Sequence, residues 1–98
     1  MWNYNYYVYI TTNPEKKVLY VGVTNDIRIR PLQHHENRGS KSSFAGKYYC
    51  YNLVYYEHFH HIEHAIAREK EIKKWRREKK IALIESFNPE WRFLNDEV

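Results

Sequence analysis

Cysteine is almost missing from this chain: Cys50 is the only one in 98 residues. A lone thiol excludes an internal disulfide framework and a Cys-rich zinc site, and it fits a reducing cytoplasm. No apolar run approaches the roughly 20 residues that a membrane-spanning helix needs. Met1-Trp2-Asn3-Tyr4-Asn5-Tyr6 lacks the basic-then-apolar pattern of a secretory signal. Glycine and proline number three each, and no linker, low-complexity tract or internal repeat divides the chain. One cytoplasmic domain without a membrane segment is expected, and a monomer.

Aromatic residues make up 17% of the chain and hydrophobic residues 43%, enough for a folded core. The net charge is +4, unevenly spread: residues 68–80 hold eight Lys or Arg against three Glu, a local +5, so the remainder is −1. A basic ridge of this kind fits an anionic partner such as nucleic acid. The same run also reads as a solvated, helix-stabilising face, and charge alone does not separate the two.

Two runs of β-branched and aromatic residues, Tyr6 to Thr11 and Val18 to Val23, flank a polar turn with Pro14, the pattern of a β-hairpin. Pairing Tyr9 with Tyr20 puts Val8, Ile10, Leu19 and Val21 on one face, a core face. Tyr7, Tyr9, Tyr20 and Gly22 then share the other. Thr24-Asn25-Asp26 supplies helix-capping residues, and Ile27 to Asn37 reads as a short helix that Pro31 either restarts or kinks. Arg38 to Lys47 is a basic loop. Tyr51 to Phe59 reads as a third strand, and helices are predicted over about Ile62 to Arg76 and Glu78 to Phe87. Asn88-Pro89 ends the second of these. In the tail, Trp91, Phe93 and Leu94 are candidates to dock on the core.

At 100° per residue, Ile62, Ala65, Ile66 and Ile72 share one helix face, and Glu69 falls in the middle of it. A carboxylate there is costly to bury unless it pairs with a cation or binds a metal. The phenols Tyr9 and Tyr20, with Arg30, His34 and Glu69, are suitable parts for phosphodiester hydrolysis. Mg²⁺ often takes only one or two carboxylates plus water and substrate oxygens. Arginine stabilises charge building on a phosphoryl group. A phenol, with a pKa of roughly 10, acts as a base only where neighbouring cations favour its ionised form.

These residues carry a resemblance. Tyr7-Val8-Tyr9, Tyr20-Val21-Gly22, Thr24-Asn25-Asp26-Ile27 with Arg30 and His34, the segment Ala67 to Lys73 around Glu69, and Asn88-Pro89 together resemble the GIY-YIG nuclease superfamily, in its small stand-alone bacterial branch. The likeness covers residues 5–92, leaving 93–98 as a tail. It implies an α+β fold with a small three-stranded antiparallel β-sheet flanked by helices, in the order β-β-α-β-α-α. It also implies a metal-dependent endonuclease that hydrolyses DNA phosphodiester bonds, structure-specific in repair or recombination. One Mg²⁺ or Mn²⁺ would be held by Glu69, Arg30 would contact the scissile phosphate, and a motif tyrosine would deprotonate the attacking water, Tyr9 with Tyr20 in support or the two with roles exchanged. His34 would contact phosphate or support those groups. Tyr7, Val8, Val21, Gly22 and Asn88 are the structural positions of the motifs.

Arg28, Lys41, Lys47, Lys70, Lys73, Lys74, Arg76 and Arg77 are the candidate contacts to DNA, with a branched, flapped or damaged substrate and a protein partner for targeting in view. The chain departs from the family in having Tyr7 where the first motif has glycine, in Pro31 after Arg30, and in lacking a separate DNA-binding domain. The alternative function is a nucleic-acid-binding module of the same fold with weak or no catalysis. A zinc site at His60 and His64, four residues apart, lacks a third ligand at a clear spacing.

Overall fold

A computed structural model describes residues 5–27 and 49–97. The helix expected over 27–37 and the loop over 38–47 lie almost wholly outside that range. So do Arg28, Arg30, Pro31, His34, Lys41 and Lys47.

Three strands form one antiparallel sheet in the order β2-β1-β3. β1 is Tyr6–Thr12, β2 Leu19–Thr24 and β3 Asn52–Phe59. The hairpin register differs by two residues from the predicted one: Tyr9 lies opposite Gly22, Ile10 opposite Val21 and Thr12 opposite Leu19. The cause is Asn13, whose side-chain oxygen accepts the backbone N–H groups of Lys17 and Val18 at 2.7 and 2.9 Å. Thr12 adds a hydroxyl bond to the Val18 carbonyl at 2.7 Å. The six-residue loop therefore lies at 13–18, one residue further along the chain than the predicted register places it. A shift of two leaves every side chain on its predicted face, because the strand period is two.

The face carrying Val8, Ile10 and Val21 meets the helices. Those three residues join Val54, Tyr55, Ala65, Ile72 and Ile84 in the main core cluster. Each large aliphatic side chain there contributes roughly 1.5–3 kcal/mol by leaving water. On the opposite face Tyr9, Ile27, Leu53 and Leu94 form a second cluster, with Tyr7, Tyr20 and Tyr56 packed against it.

β3 carries a bulge. Ile10 pairs with Tyr55 and Thr11 with Leu53, so the buried Val54 has no partner across β1. The Val54 carbonyl accepts the side-chain amide of Asn88 at 3.1 Å. The same amide nitrogen donates to the Arg92 carbonyl at 2.8 Å, and its oxygen accepts the Arg92 N–H at 3.0 Å. Asn88 is thus a buried clasp between the bulge and the tail. Asn95 extends this by accepting the Leu53 N–H and donating to the Tyr51 carbonyl, both at 2.9 Å. Leu94 docks as expected, whereas Phe93 stays 42% exposed.

Helix α1 spans Ile62–Lys73 and helix α2 Arg77–Phe87. The first stops three residues short of the predicted end. Arg76 is extended, at φ −65° and ψ 157°, and caps α2 instead. The Trp75 ring lies in this break, between the Arg68 guanidinium at 5.0 Å and the Lys79 ammonium at 4.2 Å. The buried line of α1 is Ala65 and Ile72, while Ile62 and Ile66 are exposed at 41% and 36%. The apolar stripe is therefore narrower than its sequence spacing predicts.

Candidate active site

Tyr9 is 1% exposed, and its ring covers Gly22 across the hairpin. A Cβ at Gly22 would stand 2.5 Å from the Tyr9 hydroxyl and 2.6 Å from Cζ. Only glycine leaves room for that phenol, which gives the Tyr-x-Gly triplet a physical reason. Tyr20 lies beside it with ring centroids 6.2 Å apart and is half-buried. Of the two phenols, Tyr20 is the one that solvent reaches appreciably.

Tyr7, the residue in place of the motif glycine, packs toward β3. Its ring meets Tyr56 at 6.3 Å and His58 at 5.2 Å. Its bulk therefore leans on the strand lying on the other side of β1 from Tyr20 and Gly22. Val8 and Val21 are buried on the helix face.

Glu69 occupies the inward-turned side of α1, one turn from both Ala65 and Ile72. Its side chain is 15% exposed, and one carboxylate oxygen sits 3.4 Å from the Lys73 ammonium. Lys73 also lines a cavity of about 320 Å³ with Leu19, Tyr20, Val21 and Lys80. Lys73 thus joins the carboxylate on α1 to a cavity bordered by strand β2 at the edge of the sheet.

A bidentate pair fixes α1 on the sheet. Arg68 Nε donates to both oxygens of Glu57, at 3.1 and 3.2 Å, and a terminal nitrogen donates to Glu57 Oε2 at 3.0 Å. The other terminal nitrogen donates to Glu71 at 2.6 Å. Tyr55 donates its hydroxyl to the same Glu57 carboxylate. Burial first, and then the Glu57 carboxylate, pushes the Tyr55 phenol above its ordinary range. The bond to Glu57 holds Arg68 more firmly protonated than usual. Arg68 and Glu57 carry no signal in the sequence that pairs them, since one lies on a helix and the other on a strand. By fixing the rotation of α1, Arg68 also fixes where its neighbour Glu69 points.

The described histidines form two ring pairs, His58 with His60 at 4.7 Å and His61 with His64 at 5.2 Å. Among the described residues no group of three or more His, Cys, Asp or Glu could hold a metal. Glu69 fits a different kind of site: one sheltered carboxylate, suited to a hard cation that keeps its waters and takes the remaining oxygens from substrate. Lys70, Lys73, Lys74, Arg76 and Arg77 are all exposed.

The GIY-YIG catalytic domain model matches residues 5–82. The chain belongs to the GIY-YIG family. A UPF0213 protein of Bacillus pumilus is 32% identical over 90 residues, covering 92% of this chain and 89% of that protein. A UPF0213 protein of Haloquadratum walsbyi is 36% identical over 80 residues, covering 82% and 86%. The solution NMR structure of a UPF0213 protein from Bacillus halodurans superposes with a TM-score of 0.55 at 26% identity, covering 94% of this chain and 95% of that one. The expected α+β fold and family are therefore both found. No helix among the described residues is long and apolar enough to cross a membrane.

Proposed function

We propose that this GIY-YIG protein is a divalent-metal-dependent endonuclease that hydrolyses DNA phosphodiester bonds and selects its substrate by structure, as in repair or recombination. The observation that carries the reading is Glu69. It is a carboxylate sheltered on the buried side of α1, tied through Lys73 to a cavity bordered by Leu19, Tyr20 and Val21 of β2. A pure binding module gains nothing from a carboxylate there, because it repels phosphate.

Glu69 would hold Mg²⁺ or Mn²⁺, and the bound ion would polarise the phosphoryl oxygens and neutralise their charge. Tyr20 has the accessible phenol and takes the base role, receiving the proton of the attacking water. Tyr9 is packed over Gly22 and supports Tyr20 by fixing its ring. Arg30 is assigned to the scissile phosphate and His34 beside it, on the family motif. Lys73 and Arg77 supply positive charge to the DNA backbone. The isosteric variant Glu69→Gln is expected to abolish Mg²⁺-dependent cleavage of flapped or branched DNA with the thermal melt unchanged. Wild-type cleavage rates in that variant would overturn the assignment. Tyr20→Phe is expected to lose about 10²–10⁴ in rate, the usual contribution of a positioned base, and more than Tyr9→Phe.

A further inference from the structure

A second cavity of about 320 Å³ adjoins the one at Tyr20. It is lined by Lys17, Val18, Leu19, Arg77 and Lys80, and it shares Leu19 and Lys80 with the first. The two form one groove beside strand β2, from the hairpin loop to Tyr20. Four cations converge on it from three separate elements: Lys17 from the loop, Lys73 from α1, and Arg77 and Lys80 from α2. Among the described residues no carboxylate lines either cavity. Lys17, Arg77 and Lys80 have no ion-pair partner among the described residues. Unneutralised like charges brought together by tertiary packing repel one another, and an anion in the groove relieves that repulsion.

The shape selects among anions. Val18, Leu19 and Val21 give the groove an apolar floor, and the Tyr20 position borders its inner end, with the Tyr20 ring packed beside Tyr9 on the other face of the sheet. A positively charged groove that tracks a backbone is an element of single-strand recognition. Each cavity is at the small end of the roughly 300–1,000 Å³ that ligand pockets span. One strand can enter such a groove, whereas a duplex meets only its rim.

We propose that this groove seats one phosphodiester strand, which passes Lys17, then Arg77 and Lys80, and reaches the reacting centre beside Tyr20. The proposal rests on the nuclease reading above and narrows it. The substrate is DNA with a single-stranded tail, and the tail, rather than the duplex, is what the domain grips. It also divides the basic ridge. Lys73 and Arg77 work with Lys17 and Lys80, while Lys74 and Arg76 line neither cavity.

The test is fluorescence anisotropy of the full chain with short labelled oligonucleotides in EDTA, where binding is read without turnover. Lys73 is already paired with Glu69, so the three phosphate contacts of Lys17, Arg77 and Lys80 predict a salt slope of about −2.1, and a fourfold rise in salt weakens wild-type binding roughly twentyfold. Lys17→Gln/Lys80→Gln is expected to keep one of the three, weakening only about threefold over the same range, with an unchanged urea midpoint. Arg77→Gln is the second groove variant if the double variant fails to fold. Lys74→Gln/Arg76→Gln is expected to keep the wild-type slope. An equal loss in both double variants would overturn the groove in favour of a diffuse ridge. Blunt duplex DNA bound as tightly as the single strand would overturn the substrate class, and preference for the RNA version of the oligonucleotide would overturn DNA. A protein that binds through the groove and never cleaves fails the nuclease reading alone. One that cleaves while the groove variants bind normally fails this proposal alone.

Discussion

Gly22→Ala tests the packing on which the tyrosine face depends. The added methyl would lie 2.5 Å from the Tyr9 hydroxyl, 2.6 Å from Cζ and 3.0 Å from Cε2. Distances this short cannot stand, so the ring or the hairpin must move. Tyr9 is 1% exposed and central to its cluster with Ile27, Leu53 and Leu94, so its ring has no open space to swing into. Overpacking of this kind costs about 1–3 kcal/mol. Replacing glycine also stiffens the unfolded chain, which returns about 0.4–1 kcal/mol. The net expectation is a loss of roughly 1–2 kcal/mol, read as a lower urea midpoint at unchanged slope.

The cycle partner is Tyr9→Leu, which removes the ring. On that background the same alanine should be close to neutral, giving a coupling of about 1–2 kcal/mol. Tyr9→Phe is less useful, because Cζ at 2.6 Å remains in the way. If Gly22→Ala leaves the midpoint unchanged, or if its cost persists without the ring, the steric account of the glycine is wrong.

Three further perturbations probe the remaining supports. Arg68→Ala strips a guanidinium from a Glu57 side chain that is 21% exposed. It should cost about 2–4 kcal/mol, toward the lower part of the range for breaking a buried pair, and a loss under 0.5 kcal/mol in urea titration would rule out the clamp. Asn88→Ala removes three hydrogen bonds to Val54 and Arg92. A loss of roughly 2–4 kcal/mol is expected, with amide exchange accelerating first in the tail and at the bulge. Burial pushes the Cys50 thiol from 9.0 up to about 11. At pH 8 this cuts its thiolate fraction about a hundredfold, so the folded protein should resist a thiol reagent that labels it rapidly in denaturant. Because the folded pKa is the raised one, Cys50 favours the fold below pH 9 and loses that contribution as the pH rises toward 11. Rapid stoichiometric labelling of the native state would contradict the burial.

Alternation along Tyr6–Thr12 and Leu19–Thr24 was enough to assign both faces of the hairpin. Parity survives a two-residue slip, so the faces are right although the pairing is not. The pairing depends on the Asn13 side chain bonding two backbone N–H groups at the far end of the loop, a contact that composition does not specify. Helical periodicity correctly set Glu69 among inward-facing residues, yet it counted Ile62 and Ile66 with them. Those two lie toward the N-terminal end of α1 and are left exposed. Arg68 with Glu57, and Lys17 with Lys80, escaped notice for one reason: each pair joins elements whose relative placement exists only after packing. Asn88 was visible as a motif residue, but its work at the Val54 bulge required the register.

The two faces of the sheet bear on why the site sits at β2. Glu69 comes from the helix side and Tyr20 belongs to the tyrosine side. Through the middle of the sheet they are kept apart by strand backbone. Only at an edge strand can groups from both sides approach one reacting atom, and β2 is such an edge, with the Glu69-paired Lys73 lining the cavity beside it. The other edge, β3, is engaged at its start by the tail through Leu94, whose N–H donates to the Leu53 carbonyl at 2.7 Å, and through Asn95. The chain thus spends its C-terminal residues on one edge and its cations on the other. A substrate strand drawn along β2 lies beside Lys17, Arg77 and Lys80 before it meets Tyr20. Binding and chemistry then separate along the groove: substitutions at Lys17 or Lys80 should raise KM with little change in kcat, whereas Tyr20→Phe should lower kcat. A fall in kcat alone from Lys17→Gln would place that lysine at the reacting centre and break this division.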